Sequence, residues 1–282
     1  MKRRFDLHVH TTASDGTLEP EEVVVRAVSA GLWCVAVTDH DTAEGVDRAM
    51  DAGRRLGLPV IPGAEFSAQF DGELHILGYG LDPHSTGWAA FIAEQQKRRL
   101  ERNEGMLKRL EALGLALPAE YLPSTVSGTY GRMHMARGLM AMGAVATPKE
   151  AFERYLMHGA KAYVPRRKFT SQELLAAIAA CGGQAVLAHP GRIGLGQWEL
   201  RALVGELVGL GLTGLEVYYP SHSTDEMHFF AALAQEMNLV CTYGSDWHGQ
   251  EAGLAARFGD FTLPERTYQW IASLLERGGE LQ

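Results

Sequence analysis

Seven short apolar runs recur along the chain, each long enough for a buried strand and each bounded by polar or turn-forming residues. They are FDLHVH (5–10), CVAVTDH (34–40), PVIPGAEFS (59–67), LHILGYG (74–80), AVLAHP (185–190), GLEVYY (214–219) and VCTYGSD (240–246). Between most of them the apolar period becomes helical. EPEEVVVRAVSAG, AEGVDRAMDAGRRLG, SQELLAAIAACGG, QWELRALVGELVGLG and TDEMHFFAALAQEMN read as amphipathic helices, several opened by Ser, Thr, Pro or Glu and closed by Gly or Asn. Near-continuous apolar strands alternating with helices predict a parallel sheet covered by helices, and a barrel in preference to a sandwich.

The alternation breaks once, from Trp88 to Ala160, where strand signals vanish and helical ones take over. The chain therefore divides into a barrel domain, 1–87 and 161–282, and a helical insertion, 88–160. The first helix of the insertion, WAAFIAEQQKRRLERNEGMLKRLEALG, carries Phe91, Leu100, Leu107 and Leu110 at helical spacing beside a basic cluster of Lys97, Arg98, Arg99 and Arg102. A second helix begins near TYGRMHMARGLMAMG.

A length of 282 residues with 46% hydrophobic content suits one large core plus a modest insertion. The 26 Lys and Arg against 34 Asp and Glu give a net charge of -8, which argues against long DNA as a partner. An anionic ligand would need a local basic pocket. MKRRF leads into no apolar signal segment, and no apolar stretch approaches the roughly eighteen residues of a membrane span, so a cytoplasmic protein is expected. Cys34, Cys181 and Cys241 lie scattered in apolar runs and suit reduced core thiols.

The polar residues that interrupt the strands are mostly metal-ligand types. His8 and His10 sit in the first strand, with Asp15 in a Ser-Asp-Gly turn just beyond. His40 closes the second strand, Glu65 lies near the end of the third, His189 closes the fifth, and Asp246 the last, followed by His248. At the carboxyl ends of barrel strands such side chains converge on one mouth. With His75 they make a set too large for one ion, and imidazole with carboxylate suits zinc, manganese and iron alike. His75 imposes a geometric condition: across a hairpin at Asp71-Gly72, it shares a face with Glu65 only if the loop is odd in length or contains a bulge, for which Gly72 is the natural residue.

Taken in order, FDLHVHTTASDGT, AVTDHDT, GAEFS, His75 in ELHILGYG, AVLAHPGR and GSDWHG resemble the polymerase and histidinol phosphatase (PHP) family of phosphoesterases. The resemblance implies a distorted (β/α)7 barrel, in agreement with the seven strands read from the pattern. It implies two or three divalent ions, manganese foremost, held by His8, His10, Asp15, His40, Glu65, His75, His189, Asp246 and His248. In it Glu65 bridges two ions, while Asp15, His40 and His248 hold a third; Glu65, Asp246 and His189 stand closest to the chemistry. The QQKRRLERN and TYGRMHMAR stretches resemble the branch of nucleoside 3′,5′-bisphosphate phosphatases and 5′-3′ exoribonucleases, so a small nucleotide or short RNA is the expected substrate, and a noncatalytic metal module is disfavoured by the complete ligand set.

Divalent ions meet the two difficulties of a phosphate ester by activating water and neutralising phosphoryl charge. Other phosphates need protein cations. Arg132 and His134 follow Ser127-Gly128-Thr129 at a helix start, a favoured place for phosphate, with Arg99 and Arg102 as further candidates and Tyr130 as a stacking surface for a base. Asp39 and Asp41 are expected to support His40, one of Tyr218 and Tyr219 to line the pocket, and His222 to be the strongest spare histidine. His84, His158 and His228 are read as packing or surface residues.

Overall fold

The computed structural model describes residues 3–82, 85–121, 130–165, 167–249 and 263–277. Its seven strands are β1 (Phe5–Val9), β2 (Cys34–Val37), β3 (Val60–Ser67), β4 (His75–Tyr79), β5 (Gln184–Leu187), β6 (Gly214–Tyr218) and β7 (Val240–Tyr243), hydrogen-bonded in chain order. A bridge between Val9 and Trp247, with the Trp247 carbonyl accepting from His10 N–H at 2.9 Å, draws the far edge back to β1 and nearly closes the barrel.

One strand departs from the parallel arrangement expected. β4 runs antiparallel to both β3 and β5, because it returns directly from β3 through residues 68–74 instead of through a crossover helix. That reversal puts the first residue of β4, His75, at the same mouth as the last residues of its neighbours. Ser67 pairs with His75 and Glu65 with Leu77, so the connection is odd in length and Glu65 and His75 share a face with no bulge in the ladder. Gly72 supplies a φ of +135° within the loop.

Helices α1 (Pro20–Ser29) and α2 (Val46–Leu56) cover the first strands; α6 (Ser171–Ala180), α7 (Gln197–Gly209), α8 (Thr224–Glu236) and α9 (Glu265–Arg277) cover the rest. The insertion contributes α3 (Thr86–Ala112), α4 (Arg132–Ala141) and the short α5 (Pro148–Ala151). Start signals are chemical: Thr170 and Ser223 accept the N–H groups of Glu173 and Glu226, whose carboxylates return to the cap N–H groups. α9 adds to the elements read from the pattern, and its buried Thr267, Ile271, Leu274 and Leu275 carry the helical spacing that marks it.

The insertion has a core of its own, built on Met106, Leu110, Met135, Leu139, Tyr155 and Leu156, whereas Trp88 and Ile92 at the start of α3 belong to the barrel core. α3 thus ties the two bodies together. Between its two apolar ends the buried face is polar: Gln95, Arg99, Arg102 and Asn103.

Candidate metal centre

His8 on β1 and His10 just past its end, two apart in extended backbone, project from the same side. Their rings meet those of His189 and His248, with centroids 5.7 Å apart for His8–His189 and 4.1 Å for His10–His248. Glu65 is the hub. Its Oε2 lies 3.3 Å from His8 Nε2, 3.3 Å from His10 Nε2 and 2.9 Å from His40 Nδ1, and its Oε1 lies 2.7 Å from His75 Nδ1 and 3.0 Å from His189 Nε2. Asp246 Oδ1 stands 3.4 Å from His8 Nε2 and 3.1 Å from His10 Nε2, and Asp15 Oδ1 stands 3.2 Å from His248 Nε2.

Three sets of donor atoms are close enough to share an ion: His8, His10, Glu65 and Asp246; His40, Glu65 and His75; and His10, Asp15, His40 and His248. His10 joins two sets, as do His40 and Glu65. His189 reaches the cluster through Glu65 and lies outside these three sets.

The donors fit divalent ions on two counts. Buried His8 Nε2, His10 Nε2, His40 Nδ1 and Glu65 Oε2 complete no hydrogen bond, a costly arrangement unless a cation collects their lone pairs. Ligands about 2.1 Å from an ion stand about 3.0 Å apart in an octahedron and about 3.4 Å apart in a tetrahedron, and the His–carboxylate spacings of 2.9–3.4 Å around Glu65 Oε2 and Asp246 Oδ1 match those edges. Burial alone would raise the pKa of Asp15, Glu65 and Asp246, but the imidazoles around them outweigh it and hold all three well below the usual carboxylate range. Burial would likewise strip the proton from His10, yet Asp246 and Glu65 push its pKa up to about 10. The cluster demands positive charge, which protons supply when ions do not.

Backbone strain is concentrated here. Among the described residues the non-glycine positive-φ positions are Asp41 (54°), His189 (25°), Asp246 (53°) and Asn238 (58°), and the first three lie at the mouth. Each costs about 1–3 kcal/mol and persists only where its surroundings enforce it.

Support around the cluster differs from expectation in detail. Asp39 does not brace His40; it accepts from Thr11 N–H (2.8 Å), Thr11 Oγ1 (2.7 Å) and Ser14 Oγ (2.6 Å), mooring the loop that carries Asp15. Asp41 pairs with Arg99, Oδ2 to Nη2 at 2.5 Å. Tyr219 is the tyrosine at the pocket, donating to Asp246 Oδ2 at 2.9 Å. His222 Nδ1 donates to the Val217 carbonyl and its Nε2 accepts from Gly191 N–H, so it steadies the turn after His189.

On the insertion, Arg99 also approaches the start of α4: a Cβ on Gly131 would stand 3.0 Å from its Nη1. His134 Nδ1 accepts from Gly131 N–H at 3.1 Å, which leaves the ring proton on Nε2. Burial and the charges of Arg137 and Arg99 lower its pKa against the pull of Asp15. Arg132 turns instead over the Phe152 ring, 5.5 Å from its centroid, and Arg102 reaches along α3 to Met106. Tyr130, 8% exposed, packs in the insertion core, so its ring contributes to packing and offers no open face for a base. Ser127, Gly128, Thr129 and His84 lie outside the described residues.

Three residues escaped the sequence reading. Arg137 Nη2 donates to the Asp15 carbonyl at 3.1 Å, Arg192 Nη1 donates to Asp246 Oδ2 at 3.2 Å, and fully buried Glu216 touches both His8 and His189. For Glu216 a signal was present, a carboxylate within the apolar GLEVYY.

A barrel whose mouth gathers histidines and carboxylates from most of its strands defines a metal-dependent hydrolase. The PHP domain profile matches residues 6–136. The chain is 36% identical over 256 residues to a 3′,5′-nucleoside bisphosphate phosphatase of Chromobacterium violaceum, covering 88% of each. It is 37% identical over 248 residues to the 5′-3′ exoribonuclease Rnm of Salmonella typhimurium, covering 86% of this chain and 85% of that protein. A solved structure from Bifidobacterium adolescentis, described as a metal-dependent phosphoesterase, superposes with a TM-score of 0.85 at 30% identity, covering 97% of each chain. The chain belongs to the PHP family, and its class of activity is phosphoric ester hydrolysis. Among the described residues no helix is long and apolar enough to cross a membrane.

Proposed function

We propose that the protein removes the 3′-phosphate from nucleoside 3′,5′-bisphosphates such as 3′-phosphoadenosine 5′-phosphate, leaving the nucleoside 5′-monophosphate, in the cytoplasm. The observation that supports this reading is a second group of N–H donors beside the metal centre. Arg99, His134 and Arg137 gather at the start of α4, and Arg137 donates to the backbone of Asp15 itself. A substrate with two phosphates would meet both places; a monoester would meet one. The C. violaceum relative bears the corresponding name.

His8, His10, Glu65 and Asp246 would hold one divalent ion, His40, Glu65 and His75 a second, and Asp15, His40 and His248 with His10 a third, with manganese as the working metal. Bound there, such ions would lower the pKa of a water and neutralise charge on the phosphoryl group. The chain's own groups do the rest. Glu65 and Asp246 stay ionised under the imidazoles around them and so remain donors at neutral pH. Arg192 and Tyr219 fix the second oxygen of Asp246. His134 offers Nε2–H and Arg99, whose Nε and Nη2 hold Asp41, its Nη1 to the 5′-phosphate, and the α4 N-terminus adds backbone N–H groups. Anchoring that phosphate orients the 3′-ester at the mouth.

Trimming of short 5′-phosphorylated RNA is the second reading, because the same anchor would hold a terminal 5′-phosphate; the S. typhimurium relative carries that name at similar identity. Manganese-loaded protein should be given adenosine 3′,5′-bisphosphate, a 5′-phosphorylated trinucleotide and histidinol phosphate. Fast release of one phosphate to leave 5′-AMP is expected. Mononucleotides from the trinucleotide, with the bisphosphate untouched, would replace this reading with the second.

A further inference from the structure

Glu216 sits in the middle of β6, 0% exposed, with one oxygen on each of two histidines of the mouth. His8 Nδ1 lies 3.0 Å from Oε1, and the backbone N–H of His189 donates to Oε2 at 2.7 Å. An ionised carboxylate can only accept, so the His8 proton must reside on Nδ1. The lone pair is then on Nε2, the atom that faces Glu65 and Asp246 and completes no hydrogen bond. A neutral imidazole has one proton to place; Glu216 decides where.

The second oxygen acts on the backbone. His189 has a φ of 25°, a value that no ordinary local preference sustains, and its N–H is held by Glu216. The same strand reinforces the turn two residues on, where the Val217 carbonyl accepts from His222 and His222 accepts from Gly191 N–H. Room for this arrangement is made on β7's side: a Cβ at Gly244 would overlap Glu216 Oε1 and the His8 Cβ, so the strand must approach there without a side chain.

We propose that Glu216 is a positioning residue of the centre, setting the tautomer of His8 and the backbone of His189 and thereby the affinity for metal. The inference rests on the cluster being a metal centre and is independent of the substrate reading. Carboxylates behind ligating histidines are typically worth about 10- to 100-fold in metal affinity.

Glu216→Gln gives the sharper test because it keeps size and shape. An amide has one oxygen for two donors. If the oxygen keeps His189 N–H, the NH2 faces His8 Nδ1 and traps the ring as the Nε2–H tautomer, which cannot ligate. The experiment is chelator competition with Mn2+ on metal-free wild type, Glu216→Gln and Glu216→Ala, together with imidazole 15N spectra of the Zn2+-loaded proteins, in which the carboxylates around His8 no longer hold it as an imidazolium. Weakening of about 10- to 100-fold in both variants, with the His8 signal moving to Nε2–H in the Gln variant, is expected. A residue that only fills the core would lower the melting temperature and leave affinity unchanged. Wild-type affinity in the folded Gln variant, or an unchanged His8 tautomer together with an unchanged His189 backbone N–H resonance, would overturn the proposal. Failure of wild type to bind Mn2+ would overturn the metal reading with it, whereas inactivity on nucleotides alongside the expected affinity loss would leave this proposal standing and sink only the substrate reading.

Discussion

Around Glu65, nitrogens of His8, His10, His40, His75 and His189 all lie within 3.3 Å of one carboxylate. On α3, by contrast, Arg98 and Arg99 have each settled with a partner. Arg98 lies on the Phe169 ring and donates to Glu94, while Arg99 holds Asp41. Both regions are rich in charge, but the mouth points several donors at shared positions, whereas Arg98 and Arg99 each meet a carboxylate of their own. Convergence without completion marks a place that awaits a ligand; completed pairs mark a place that holds parts of the protein together.

The largest effect should come from breaking the convergence. His10 belongs to two of the three donor sets, so His10→Ala removes a ligand from both at once. Loss of several kcal/mol of transition-state stabilisation, about a thousandfold or more in kcat/KM, is expected with far-ultraviolet circular dichroism unchanged. Arg132→Ala, which removes the cation over Phe152, should act on stability before activity, the cation–π contact alone being worth about 1 kcal/mol. Equal losses of activity from the two would erase the distinction between the regions.

The pairs of the insertion should register in stability first. Arg99→Ala leaves Asp41, 0% exposed and in a strained conformation, without its guanidinium. Breaking a buried pair from one side costs about 3–5 kcal/mol, which corresponds to a fall in Tm of about 10 °C in a chain of this size. Thermal denaturation of Arg99→Ala beside Arg99→Met/Asp41→Asn separates the two contributions, since removing both charges should restore most of the loss. A double variant as unstable as the single one would show that Arg99 acts through packing alone.

Metal uptake gives the next contrast. The His10 pKa of about 10 means that an entering ion displaces a proton at neutral pH, so affinity for Mn2+ should rise between pH 6 and 8, by up to about tenfold per pH unit for each proton displaced. The sign for the metal-free fold is opposite. A histidine raised from 6.5 stabilises that fold fully below 6.5, and the contribution is lost as pH climbs through about 10. Calorimetric titration in buffers of different ionisation enthalpy would detect the released proton; an affinity indifferent to pH would mean that His10 is already neutral.

The same contrast explains what the sequence makes legible. Metal ligands are of few chemical types, and a strand end fixes where each side chain goes, so His8, His10, His40, Glu65 and Asp246 can be picked out from spacing and strand placement. The reversal of β4 is half-visible, in the turn at Asp71-Gly72 and the need to bring His75 beside Glu65. Basic residues on a helix carry no such restriction. Nothing in KRRLER tells Arg98 on Glu94 from Arg99 on Asp41, because the partner of Arg99 lies 58 residues away and is set by tertiary packing. The burial of Tyr130 is set in the same way, and Glu216 stays hidden in the sequence because a buried carboxylate is defined by what stands behind the ligands, on a strand distant in sequence.

The smallest expected effect tests how the mouth is braced. Tyr219 donates to Asp246 Oδ2, and Arg192 donates both to that oxygen and to the Tyr219 hydroxyl, at 3.2 and 3.1 Å. Asp246 has a strained backbone and its other oxygen faces His8 and His10, so its carboxylate plane must be held from outside the donor set. With two donors on one oxygen, removing the hydroxyl leaves the guanidinium in place. Tyr219→Phe should therefore cost about 1 kcal/mol, roughly fivefold, and should appear in metal affinity as well as kcat/KM because the hydroxyl acts through a ligand. A fall in kcat/KM a hundred times larger, with metal affinity unchanged, would move Tyr219 from bracing Asp246 to contact with the reacting phosphate, and would extend the convergent region outward to the rim.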